Sequence, residues 1–171
     1  MISVHNRVAK TFTTNGLAVL DREIIDPVVS EELGSHFMLS FSYQADGSAA
    51  KHLRLENIVA APVAGVEDRQ GFRITEVVTT LGGMLEVTAH HVFYDLAANL
   101  IADTYVVNKT AADALKHLLN AANNTHGFTA TSSDNVSRAS ARIVRQPLAA
   151  AILDSKADNS FVSRWGGELA F

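Results

Sequence analysis

The spacing of hydrophobic and polar positions changes once along this chain. In Met84 to Ile101, MLEVTAHHVFYDLAANLI, the residues Leu85, Val87 and Ala89 alternate with Glu86, Thr88 and His90. A period of two is that of a strand with one buried face. From Phe93 the apolar positions become Phe93, Leu96, Ala97, Leu100 and Ile101, the single stripe of an amphipathic helix. The pattern predicts a strand running into a short helix, with His90, His91, Tyr94 and Asp95 at the join.

Upstream of the join the chain reads as strands and loops. Residues 2–5 and 17–20 are short strand candidates with Asn15-Gly16 as a turn between them. In IIDPVVSEELGS, Pro27 restricts any strand to an edge and Gly34 permits a turn. The segment 36–43, HFMLSFSY, alternates most clearly and places Phe37, Leu39, Phe41 and Tyr43 on one face. HLRLENIVAAPV reads as a strand pair or one bent strand. QGFRITEVVTTL is a further strand with Phe72 and Ile74 in phase, and Gly82-Gly83 turns it into the strand of the join. Residues 1–92 therefore predict an antiparallel, β-rich domain, barrel- or sandwich-like, with no convincing helix.

Residues 93–171 predict an α+β domain, so the fold class expected for the whole chain is α+β. Thr110 followed by Asp113 resembles a capping box, and Ala111, Ala114, Leu115, Leu118, Leu119 and Ala122 form a helical stripe behind it. FTATS (128–132) and VSRASARIV (136–144) read as two strands around a Ser-Ser-Asp-Asn turn. Pro147 suits the first turn of a helix over PLAAAILDSK. NSFVSRWGGELAF predicts a hairpin with Gly166-Gly167 at its tip. It ends at Phe171 on an apolar residue in mid-strand, which suggests part of a longer chain.

Composition narrows the function more than the fold. A net charge of −4 argues against a nucleic-acid-binding surface, and the local cluster Arg138, Arg142 and Arg145 is too sparse and free of aromatics to form a strand-binding groove. There is no cysteine, so disulfides and thiolate metal sites are excluded. No apolar run approaches the ~20 residues of a membrane span, and MISVHNRVAK has no apolar region of the signal-peptide kind. The Asn-x-Ser/Thr triplets at Asn108, Asn123 and Asn135 carry little weight without such a signal. The expectation is a soluble protein made in a cytoplasm.

The only dense group of potential ligands is His90, His91 and Asp95. Adjacent histidines in a strand point to opposite faces and cannot both grip one ion, unlike the one-turn spacing of zinc hydrolases. By parity His91 falls with Val87 and Ala89 as a buried imidazole, His90 faces the polar side, and Asp95 suits a helix start. No Gly-x-Ser-x-Gly elbow is present, and neither glycine pair has a phosphate-loop context. The carboxylate pairs Glu31-Glu32 and Glu67-Asp68 read as solvated charge. Trp165 or Tyr43 could stack on a sugar, although an aromatic beside a turn is more often a packing residue. No catalytic, cofactor or metal residue is expected.

The order of these elements resembles a known family. LEVTAHHVFYDLAANLI is similar to a signature in the N-terminal region of phage tail proteins of the Tal type, also called the phage minor structural or prophage endopeptidase tail family, where the counterpart is His-Ile-Phe-Tyr/Phe-Asp-Leu. The match continues in order through LGSHFMLSFSY, Gln-Gly-Phe-Arg-Ile, TAADALKHLLNAA, a Phe-x-x-x-Ser strand, PLAAAIL and NSFVSRWGGEL. Each motif is short, and their order and spacing carry the likeness over nearly the whole chain. It implies a baseplate-hub-like fold, a homotrimeric ring at the virion tail tip below the distal tail protein, contact with other tail components, and access to host cell-wall polysaccharide during adsorption. It also implies that His91, Phe93, Tyr94, Asp95, Trp165, Gly166 and Gly167 are structural positions. Lytic activity in the family lies in C-terminal extensions, so this region is expected to be no enzyme. The rival expectations are a wall carbohydrate-binding module and a metal-dependent wall hydrolase using His90, His91 and Asp95.

Overall fold

A computed structural model of the chain describes residues 1–32, 36–134, 136–167 and 169. It divides into two compact units, Met1–Val92 and Phe93–Phe171. The turn expected at Gly34 and the last residues of the expected C-terminal hairpin lie outside the described residues.

In the first unit β1 (Ser3–His5), β2 (Ala18–Val19), β3 (Ile24–Glu32), β4 (His36–Gln44), β5 (Ile58–Ala61), β6 (Gln70–Thr79) and β7 (Met84–His91) form one antiparallel sheet in the order β2-β1-β5-β6-β7-β4-β3. Laid flat, six strand spacings would put the two edges roughly 29 Å apart. Yet β2 and β3 are joined only by Leu20–Glu23, where the N–H groups of Glu23 and Ile24 both donate to the Leu20 carbonyl at 3.0 Å. The sheet must therefore curl into a half-barrel so that its edges meet at that turn. Of HLRLENIVAAPV only Ile58–Ala61 is a strand, preceded by a 3-10 turn at Ala50–His52.

The concave face carries the core. Phe37, Leu39, Phe41 and Tyr43 of β4 point inward with Leu85, Val87, Ala89 and His91 of β7, and Phe72 and Ile74 of β6 complete the layer. Each fully buried Leu, Ile or Phe contributes about 1.5–3 kcal/mol. A bulge at Thr75 shifts the β6 register between Ile74 and Glu76. Without it Glu76 would fall on the core face with Phe72 and Ile74; with it, Val77 points inward and Glu76 and Val78 point out. Pro27 lies in an edge strand as its missing N–H requires, and the β3 register shifts there, with Asp26 at φ 48°.

In the second unit β8 (Leu100–Thr110) and β9 (Arg138–Pro147) form a two-stranded antiparallel ribbon. A ribbon cannot enclose a core. Its apolar inner face, Val106 and Ile143 among it, packs with α1 (Ala111–Asn120), α2 (Leu148–Leu153) and α3 (Phe161–Trp165). The Thr110 hydroxyl caps α1 by accepting from the Asp113 N–H, and Leu115 and Leu118 are buried. Pro147 ends β9 and caps α2, which runs only to Leu153.

Three expectations fail here. The helix foreseen from Phe93 to Ile101 is a 3-10 run over Val92–Ala98, and Leu100 and Ile101 already belong to β8. Asn99 stops it: its buried amide donates to the Asn124 carbonyl at 2.8 Å and accepts from the Asn124 N–H at 3.0 Å. Residues 128–132 form no strand, and β9 pairs with β8 instead. NSFVSRW is helical, because Ser160 accepts from the Ser163 N–H and caps α3, while Gly166 at φ +70° and Gly167 at φ +87° follow the last turn.

Candidate functional site

The join shows packing rather than chemistry. His91 is 4% exposed; its ring stacks on Phe37 at 4.7 Å and meets Phe72 edge-on at 5.6 Å. Its Nε2 lies 3.2 Å from Gln70 Oε1. His90 sits on the opposite face of β7, in register with Met38 and Arg73, so the two imidazoles cannot share an ion. Among the described residues no group of three His, Cys, Asp or Glu side chains is placed to hold a metal. Phe93 is buried against Tyr94 at 6.0 Å and Phe128 at 6.4 Å, and Asp95 is exposed in the first turn of the 3-10 run.

The aromatics considered for sugar stacking are committed inward. Tyr43 is fully buried, donates its hydroxyl to the Glu23 carboxylate and accepts from the Ala49 N–H at 3.2 Å. Glu23 also takes the Ser48 N–H at 2.9 Å, so a single carboxylate ties the β2–β3 turn to the loop after β4. The Tyr43 hydrogen bond holds Glu23 below the usual carboxylate range, and burial first, then Glu23, raises Tyr43. Trp165 stacks on Phe161 at 5.3 Å and donates its indole N–H to the Lys109 carbonyl at 2.9 Å. Tyr43 has no face open to a saccharide, while Trp165 is half-buried with one face of its ring on Phe161.

A second buried cluster escaped sequence reading. Ser3 Oγ lies 2.9 Å from His5 Nε2, and Arg69 Nη1 donates to the same oxygen at 2.7 Å. The other end of the guanidinium donates to the carbonyls of Phe12 and Thr14, strapping the loop 6–16 onto the sheet. Burial, then the Arg69 charge, pushes His5 below its ordinary value. A serine hydroxyl that is fully buried and already accepts from an arginine is a strut, not a nucleophile. Composition held no signal for it; only the pairing of β1 with β5 and β6 with β5 brings residues 3 and 69 together.

Among the described residues two strand faces are exposed. On the ribbon, Tyr105 opposes Arg142 and Asp103 opposes Val144. Arg142 grips Asp103 with both ends of its fork, Nε to Oδ1 at 3.1 Å and Nη2 to Oδ2 at 2.7 Å, which lowers Asp103 and raises Arg142. With Thr104 these residues line an open cleft of about 680 Å³. Tyr105 is 60% exposed, Val107 54% and Val144 44%. On the first unit, the convex face of β3-β4-β7-β6 carries two cross-strand rows: Ile25, Ser42, Glu86 and Val78, then Val28, Ser40, Thr88 and Glu76. Sequence reading missed both faces, since one depends on a bulge and the other on an unforeseen strand.

No protein-family model matches the chain, and no curated protein is significantly similar to it. Among solved structures it is similar to the prophage tail protein gp18 from Listeria monocytogenes EGD-e, with a TM-score of 0.55 and 14% identity, over 93% of this chain and 45% of that one. At such identity the likeness is one of fold: a strand-rich chain with few helices. This chain spans less than half the length of that neighbour.

Proposed function

We propose that this chain is a structural component of a phage or prophage tail, a baseplate-hub-like part of the Tal type that assembles as a ring below the distal tail protein and has no catalytic role of its own. The observation that carries the reading is the fold likeness to a prophage tail protein over 93% of the chain. The ordered motifs from HFMLSFSY to NSFVSRWGG support it independently. The packed state of His91, Phe93 and Trp165 supports a structural role for those positions, since a ring of subunits needs rigid elements beneath its contact surfaces. No described helix is long and apolar enough to cross a membrane.

The test is immunogold microscopy of particles released from the source strain, with antibodies raised against this chain. Gold confined to one end of the tail is the expected result. Labelled protein found only outside particles overturns the reading. Light scattering on the purified chain then asks for a mass near three chains that grows with concentration.

A further inference from the structure

The two exposed strand faces differ in charge and match in shape. The outer face of the ribbon carries Arg138 and Arg142, both exposed, against the carboxylate Asp103, and Tyr105, Val107 and Val144 form its apolar part. On the first unit, the outer face of β3, β6 and β7 presents Glu32, Glu76 and Glu86, all exposed, against Arg73. Between the apolar Ile25 and Val28 on β3 and Val78 on β6 the intervening positions are Ser40 and Ser42 on β4 and Glu86 and Thr88 on β7. The small side chains of Ser40, Ser42 and Thr88 leave a shallow trough, flanked by Ile25, Val28 and Val78 and lined with the carboxylates of Glu76 and Glu86. Tyrosine and arginine are among the residue types enriched at the energetic centre of protein interfaces. A cationic surface with that centre fits an anionic trough.

We propose that copies of this chain associate head to tail, the β8–β9 ribbon of one copy lying on the serine-lined outer face of β3-β4-β7-β6 of the next. This deepens the ring-assembly reading and rests on it. The two faces are different, so the contact is heterologous, and repetition closes a ring where the rotation allows. A two-stranded ribbon of ten residues is about 33 Å long and covers on the order of a few hundred Å² of each partner, so the contact is weak alone and depends on concentration and salt.

Charge reversal with complementation tests it. Glu76→Lys with Glu86→Lys inverts the trough, and Arg138→Glu with Arg142→Glu inverts the ribbon. In sedimentation velocity the wild-type chain associates, and more weakly as salt rises. Either double variant alone associates at least about tenfold more weakly, and an equimolar mixture of the two regains association. Recovery in the mixture also shows that both variants fold. Tyr105→Ala, which alters no charge, weakens association as well. If the wild type associates and the variants match it, these faces are the wrong ones and the inference falls, while self-assembly stands. If the wild type stays monomeric to its solubility limit, the inference falls together with ring assembly by this region.

Discussion

The two units solve one problem in opposite ways. The first curls a seven-stranded sheet around its core and then ties the loose ends with polar pins, Glu23 with Tyr43 at one place and Arg69 with Ser3 and His5 at another. The second has only a ribbon, which cannot curl around anything, so its apolar residues face helices on one side. Its outer side keeps Tyr105, Val107 and Val144 in water. The curled sheet turns its large aromatics inward and leaves the aliphatic Ile25, Val28 and Val78 on its outer face; the ribbon leaves Tyr105 on its second face. That difference is why the aromatics able to make contacts with a partner are found on the ribbon, while Tyr43, Phe37 and Phe72 are not available.

The largest effect that could break this comparison is a hole in one core. Phe72 is fully buried and meets Phe37 at 5.2 Å and His91 at 5.6 Å edge-on. Phe72→Ala should destabilise the first unit by about 3–5 kcal/mol. The sole Trp, Trp165, lies in the second unit and packs on Phe161, so its fluorescence reports that unit while far-ultraviolet dichroism reports both. In urea the dichroism of Phe72→Ala should move to lower denaturant with the tryptophan transition in place. A tryptophan transition that moves equally would show one cooperative core instead of two.

Next in size is the loss of a pin. Tyr43→Phe removes one hydroxyl that donates to Glu23 and accepts from the Ala49 N–H. Because it leaves the buried Ala49 N–H without its acceptor and removes one of the bonds to Glu23, it should lower stability by about 1–3 kcal/mol in urea unfolding. No change would mean that water replaces the hydroxyl and that the sheet edges meet without this tie.

The same contrast explains what was legible. In β4 and β7 one face is core and the other solvent, so strict alternation of Phe37, Leu39, Phe41 and Tyr43 with polar residues named the strands and their inner faces. Parity alone placed His91 inside, where the structure has it. Pro27 named its own edge. The ribbon gave no such signal: in Asp103-Thr104-Tyr105-Val106-Val107 apolar residues occupy both faces, and the period of two is lost. Two of the errors came from single polar side chains. Asn99 ended the run at Phe93 by pairing with Asn124, and Ser160 started a helix where two glycines suggested a hairpin. The bulge at Thr75 was invisible because nothing local marks it. Long-range clusters such as Ser3, His5 and Arg69 require the sheet order, which no local pattern contains.

A smaller effect separates the pins by pH. His5 is held below its ordinary value by burial and by Arg69, so between its folded value and 6.5 the unfolded chain binds a proton that the folded chain does not. Stability from this site is therefore complete above about 6.5 and is lost as pH falls through that window. Glu23 acts at lower pH with the same sign: its folded value is depressed, so its contribution is present above the unfolded value and lost as pH falls toward the folded one. Unfolding midpoints of wild type and His5→Gln, compared from neutral to mildly acid pH, should converge as the pH drops. A constant gap across that range would remove His5 from the acid response.

The smallest effect sharpens the comparison most. Asp103 and Arg142 form the best-aligned ion pair among those described, yet both side chains are more than half exposed, at 51% and 64%. Water and salt screen such a pair, and ordering two side chains offsets much of what remains. Asp103→Asn should barely move the unfolding midpoint, where Glu23→Gln, with its carboxylate bonded to Tyr43 and Ser48, moves it clearly. The two acids thus rank by surroundings, not by the quality of their hydrogen bonds. On the ribbon the same substitution removes the single carboxylate beside the arginines, so it should strengthen association with an anionic face while leaving stability alone. An Asp103→Asn chain that is markedly less stable, and associates no better, would place this pair among the structural ties and erase the distinction between the two units.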